Sequence, residues 1–207
     1  MYTRRYFRMI LPIGIDCGLA TYLRDHQVRT CALPFDWVVS YNGVAKCIED
    51  DFHQFIPASN QRHNPYDIYF WHDFTARTFE QDISKYKRRI ERFQTILATS
   101  QEEVLFIRKG HAGHHHTEQN SKFSAIRSDL EDAEALDAVL QQKYPMLRYK
   151  LIVVLVCSKC FDPMTVYTSV SERIKIYNIA TPEVDDPRFI EQIKQILSVF
   201  SRDPPGN

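Results

Sequence analysis

The sequence predicts an α/β fold, a three-layer sandwich in which helices cover both faces of a mostly parallel sheet. Three observations carry that prediction. Strand-like and helix-like apolar patterns alternate along the 207 residues, the signature of βαβ units. One strand, Tyr149 to Val156 (YKLIVVLV), is continuously apolar and rich in β-branched residues, as a strand covered on both faces should be. No internal repeat or long linker interrupts the pattern, so the chain reads as one domain over 1–207, with 201–207 (SRDPPGN) a flexible tail.

The elements follow in order. Met9 to Ile15 reads as the first strand, and CGLATYLRDHQ from Cys17 as the helix after it. Asp67 to Trp71 (DIYFW) is a short strand candidate. Phe79, Ile83, Tyr86, Ile90, Phe93 and Leu97 recur every three or four residues and predict the clearest helix. Val104 to Ile107 (VLFI) predicts a buried strand. Beyond a His- and Ser-rich loop, Leu130, Ala133, Leu136 and Leu140 predict another helix. Arg173 to Ile179 (RIKIYNI) alternates polar and apolar residues and fits a strand nearer the sheet edge. Asp186-Pro187 supplies an N-cap and a proline at the first helical position, opening a helix that buries Phe189, Ile193, Ile196, Leu197 and Phe200.

Composition bounds the function classes. A chain 44% hydrophobic and 13% aromatic supports its own core and is neither disordered nor collagen-like nor a disulfide scaffold. The net charge of +0, from 26 basic and 26 acidic residues, supplies no global field toward nucleic acid or anionic lipid. No apolar run approaches the ~20 residues that span a bilayer. MYTRRYFRMILPIGID lacks the apolar core and cleavage site of a signal peptide. The expectation is a soluble, cytoplasmic protein whose five cysteines, Cys17, Cys31, Cys47, Cys157 and Cys160, are reduced. Its expected partner is a small-molecule or peptide substrate, not nucleic acid or membrane.

The first candidate site is the turn Ile13-Gly14-Ile15-Asp16-Cys17-Gly18, where the first strand hands over to the first helix. Ligands of α/β sheets bind beyond the carboxyl ends of the strands. A thiol at a helix N-terminus meets the positive end of the macrodipole, which favours thiolate. The Gly18 amide is a candidate oxyanion donor, and Gly14 and Gly18 leave room for substrate to approach the backbone. The competing use of Cys17 is as a small buried space-filler.

A second block, Leu33-Pro34-Phe35-Asp36-Trp37, sets one carboxylate inside apolar surroundings. IGIDC, the LR pair Leu23-Arg24, VRTCALPFDWV, the histidine within FWHDF, RRIERF and VLFIR then follow one another along the chain. In that order they resemble a bacterial family of papain-like cysteine peptidases of unknown function, well over the first half of the chain and loosely beyond it. The resemblance implies a papain-like α+β arrangement, with the nucleophile on a leading helix, as the alternative fold. It also implies a Cys–His pair, here Cys17 with His72. An imidazole can take the thiol proton, and a carboxylate can orient the imidazole. Asp36 and Asp73 are the candidates for that carboxylate. Asp36 is preferred, because adjacent residues on a strand point to opposite faces, although Asp36 also suits a turn acceptor. Trp37 is expected to line the substrate site.

Arginines form the next group. Lys85, Arg89 and Arg92 share one face of the 79–97 helix, with Arg88 beside them. Arg108 ends a buried strand where the site should lie and could hold a carboxylate or phosphate bidentately, or serve as a structural ion-pair partner. His111, His114, His115 and His116, with Cys157 and Cys160, could bind metal adventitiously, but a flexible loop and two free thiols is the simpler reading. No metal and no cofactor is expected.

These readings converge on a cysteine-dependent hydrolase or acyl/amide transferase, peptidase-like, with Cys17 as nucleophile, His72 as base and Asp36 as orienter. The competing reading is a non-catalytic α/β module binding an anionic ligand such as a phosphate or nucleotide-sugar through Arg108, Arg88 and Arg92. No Walker or dinucleotide glycine motif supports a nucleotide cradle. A third reading is a structural interaction protein with Cys17 buried and inert.

Overall fold

The computed structural model describes residues 9–29, 31–40, 43–59, 61–111, 129–156, 166–168, 171–179 and 186–200. Five strands form the main sheet: β1 (Met9–Pro12), β4 (Val104–His111), β5 (Tyr149–Val156), β6 (Val166–Thr168) and β7 (Ile174–Ile179). Their spatial order is β1-β4-β5-β7-β6. The first four run parallel, and β6 pairs antiparallel with β7 at the edge. Two short strands, β2 (Val39–Ser40) and β3 (Ile68–Tyr69), form a separate antiparallel pair. The helices are α1 (Gly18–Asp25), α2 (Val44–Glu49), α3 (Phe79–Thr99), α4 (Asp129–Lys143) and α5 (Pro187–Phe200).

Two apolar layers sandwich the sheet, because successive side chains of a strand point to opposite faces. On one face Leu11, Phe106, Leu151 and Val153 meet Tyr86 and Phe93 of α3 and Ala133, Leu136 and Leu140 of α4. On the other, Leu105, Ile107, Ile152 and Val154 meet Leu19 and Leu23 of α1 and Phe189, Ile193 and Ile196 of α5. Burying each large aliphatic side chain contributes roughly 1.5–3 kcal/mol. The architecture is the three-layer α/β sandwich that the alternating pattern predicts.

The DIYFW segment departs from the predicted order. It contributes only Ile68 and Tyr69, paired with β2 outside the main sheet. α2, β2 and β6 have no counterpart in the sequence reading, because each is too short to show a period. The first strand is regular only to Pro12, yet its ladder continues. Ile13 N–H donates to Ile107 O at 2.9 Å, Lys109 N–H to Gly14 O at 3.0 Å and Ile15 N–H to Lys109 O at 3.1 Å. This extension brings Cys17 to within two residues of backbone paired directly with Lys109. The 201–207 tail lies outside the described residues.

Candidate functional site

Cys17 is the N-cap residue of α1 and is half-buried. Its carbonyl opens the helix by accepting Thr21 N–H at 2.8 Å. The residue before it fixes the turn: Asp16 Oδ1 accepts the Gly18 N–H at 2.8 Å, an Asx-type turn. Asp16 Oδ2 in turn lies 2.6 Å from the Lys109 ammonium. Lys109 is 5% exposed. It faces the α1 layer because Arg108, one residue earlier on β4, faces the α4 layer.

Burial pushes the Cys17 thiol above its ordinary value, and the Asp16 carboxylate pushes it the same way; its own backbone amide and Lys109 pull against them. The Gly18 amide, the candidate oxyanion donor, already serves Asp16.

Arg108, 3% exposed, commits its donors within the fold. Nε donates to Asp129 at 2.9 Å and Nη2 to Asp132 at 3.1 Å, both in the first turn of α4. Nη1 reaches the carbonyls of Ser40 at 3.2 Å and Ile13 at 3.4 Å. The room left by Gly14, which sits at φ +116°, is used by the protein itself, since a Cβ there would lie 2.5 Å from Ser40 Oγ and 3.0 Å from Arg108 Nη1. Arg108 therefore ties β4 to α4, β2 and the turn before Cys17.

The LPFDW block divides by residue. Phe35 enters an aromatic cluster with Phe52, Phe55 and Phe93. Asp36 is fully buried; its Oδ2 accepts the Leu33 N–H at 2.9 Å and is ion-paired with Arg29. Burial raises its carboxyl, against the pull of the Leu33 amide and of the Arg29 and Arg89 guanidinium groups. Arg29 lies over the Trp37 ring at 5.8 Å, and Arg24 of α1 at 5.3 Å. His72 is exposed and meets Trp37 edge-on, ring centroids 6.3 Å apart.

Trp37 and His72 are thus brought together beside the last turn of α1, roughly 10 Å along that helix from Cys17 at 1.5 Å per residue. Among the described residues, no hydrogen bond joins Cys17, His72 and Asp36. Asp73, the other candidate orienter, pairs with Lys85 at 2.6 Å and accepts the Tyr86 hydroxyl at 2.8 Å.

The α3 arginines do not gather at this edge as one patch. Arg92 donates to Ala32 O at 2.6 Å, Arg89 stacks on Tyr86, and Arg88 is exposed. His111 ends β4, whereas His114, His115, His116, Cys157 and Cys160 fall outside the described residues. Among the described residues no three His, Cys, Asp or Glu side chains converge as a metal site. No helix among them is long and apolar enough to cross a membrane. A broad surface groove lined by Leu97, Gln101, Tyr144 and Met146 lies at the opposite end of the sheet, where β4 and β5 begin.

Sequence reasoning missed Lys109 and Arg29. The Asp-Cys-Gly order was a signal for the Asx turn, and Lys109 follows Arg108 on a strand whose neighbours must face opposite layers.

Fold and site together define an α/β protein with a cysteine at the turn from its first parallel strand to its first helix. The chain belongs to the family described as "Putative papain-like cysteine peptidase (DUF1796)", whose sequence pattern matches residues 8–66 and 60–157. No curated protein matches the chain, and neither does any solved structure.

Proposed function

We propose that the protein is a cysteine-dependent hydrolase or acyl/amide transferase with Cys17 as its nucleophile. One observation carries this reading: a half-buried thiol heads α1 at the carboxyl edge of a parallel sheet, in a chain of a family described as cysteine peptidases. The substrate is an acyl compound, peptide or small molecule. Sγ attacks its carbonyl carbon while the thiol proton passes to a base. The leaving amine or alcohol recovers that proton, and water or an acceptor amine then releases the acyl group.

Because burial and Asp16 favour the thiol, the site needs a base. His72 fills that role in the proposal, reaching the thiol when its exposed loop closes toward the head of α1. Asp36 acts on it through Arg29 and Trp37, since its carboxylate is already engaged by Arg29 and the Leu33 amide. Trp37 supplies an aromatic wall for the substrate. Arg108 holds the turn in place from beneath.

The test is limiting iodoacetamide labelling of the native protein across pH 5–10, with modified cysteines mapped by mass spectrometry, alongside turnover of a library of activated esters and amides. Cys17 should label ahead of the buried Cys47, His72→Ala should slow both labelling and turnover by about 10²–10⁴-fold, and Cys17→Ser should abolish acyl transfer. Turnover that survives in Cys17→Ser would sink the proposal.

A further inference from the structure

The Asp16–Lys109 pair adjoins the proposed nucleophile. Asp16 uses both carboxylate oxygens: Oδ1 takes the Gly18 N–H at 2.8 Å and Oδ2 takes the Lys109 ammonium at 2.6 Å. The two partners differ in exposure. The Lys109 side chain is 7% exposed, whereas that of Asp16 is 37% exposed. The ammonium is the enclosed end of the pair and the carboxylate the end open to solvent. Lys109 is also fixed by its backbone, which pairs with Gly14 through its N–H and with Ile15 through its carbonyl. A buried lysine is costly unless it is paired, so its placement here constrains the turn.

We propose that Lys109 is a positioning residue that holds Asp16 as a resting occupant of the Gly18 amide, so that the pair sets the reactivity of Cys17. The inference rests on Cys17 being the reactive thiol. While Asp16 bridges Lys109 and Gly18, the amide is closed to a substrate oxyanion and a negative charge stands beside the sulfur. When the carboxylate turns onto Lys109 alone, the amide opens and the nearby positive charge favours thiolate. Among the described residues, Asp16 from the turn and Lys109 from β4 are the charged groups that act on the thiol.

The experiment measures Cys17 alkylation against pH with two probes of equal size, neutral iodoacetamide and anionic iodoacetate, in the full chain. Asp16→Asn should lower the pH midpoint and raise the iodoacetate-to-iodoacetamide rate ratio about three- to tenfold, as loss of a neighbouring like charge requires. Lys109→Met should move both quantities the other way, and Lys109→Arg should restore them. Cys47, fully buried, is the internal control, because its silence reports an intact fold. If Asp16→Asn leaves both the midpoint and the ratio unchanged while Cys47 stays silent, the inference is wrong. The same result follows if Lys109→Met shifts Cys17 in the direction of Asp16→Asn. Neither readout depends on turnover, so failure of the catalytic reading and failure of this one are separately visible.

Discussion

At the scale of single residues, the molecule places charged groups inside the protein and satisfies them there. Arg108 serves Asp129 and Asp132 together. Replacing it with methionine takes the guanidinium away from Asp129, a carboxylate whose side chain is 2% exposed. A loss of about 3–5 kcal/mol is expected, read as a lower urea midpoint with unchanged slope. Asp36→Ala strands the Arg29 guanidinium, 11% exposed, beneath Trp37, and should cost about 2–3 kcal/mol. Trp37 fluorescence should shift with it, because the ring loses its fixed cation. An Asp36→Ala variant with wild-type stability and emission would show that Arg29 and Trp37 are held by something else.

At the scale of elements, the close approaches are made at glycines. Gly110 on β4 lies against the carboxyl group of Asp129 on α4, which a Cβ would meet at 2.3 Å. Gly110→Ala must push the head of α4 off the strand and loosen Arg108 with it, at roughly 1–3 kcal/mol. Gly43, the N-cap of α2, sits at φ +100° with the Tyr66 carbonyl 2.0 Å from where a Cβ would stand. Strain and overlap act together there, so Gly43→Ala should exceed about 3 kcal/mol. Thermal melts of the two variants order these effects; a smaller loss at Gly43 than at Gly110 would contradict the argument.

At the scale of the whole molecule, an ionic cluster joins α4, β5 and the segment that leads into β7. Asp137 of α4 accepts from Tyr149 of β5 at 2.6 Å and from Arg173, just before β7, at 2.8 and 3.0 Å. Burial raises the Asp137 carboxyl, but the Arg173 and Tyr149 hydrogen bonds outweigh it and hold the group below the ordinary carboxylate range. Asp82 is lowered in the same way: Lys85, Thr78 and the Phe74 amide outweigh burial. A carboxylate depressed on folding contributes stability that is complete above its unfolded value, near ~3.9, and is lost as pH falls through the folded one. Asp36 is raised by its burial and runs the other way, its contribution present below ~3.9 and fading as pH rises. Stability should therefore fall as pH drops from about 5 toward 2, and Asp137→Asn should flatten that slope in urea titrations at each pH. An Asp137→Asn profile parallel to wild type would remove the cluster from the account.

The sequence by itself determined the layers. The apolar run of 149–156, the long period of α3 and the Asp186-Pro187 start each carry a local physical cause, and each element forms where that cause points. It also placed Cys17 at the head of α1, because a strand followed at once by a helical period leaves no other place for the turn. Tertiary structure decided the partners. Asp36 was legible as a carboxylate in an apolar block, but its choice of Arg29 and the Leu33 amide over His72 depends on how the LPFD turn folds back. Arg108 was legible as the charged residue after VLFI, but it lies within β4, which runs on to His111, rather than at the strand's end, and Lys109 was not singled out at all. Their opposite duties follow from the pleat, which sends one to α4 and the other to Asp16. Side-chain pairing across α1, β4 and α4 depends on distances set by packing rather than by spacing along the chain. Local pattern therefore fixed the elements and the turn that carries the thiol, while the ionic contacts around that turn were settled only when the layers closed.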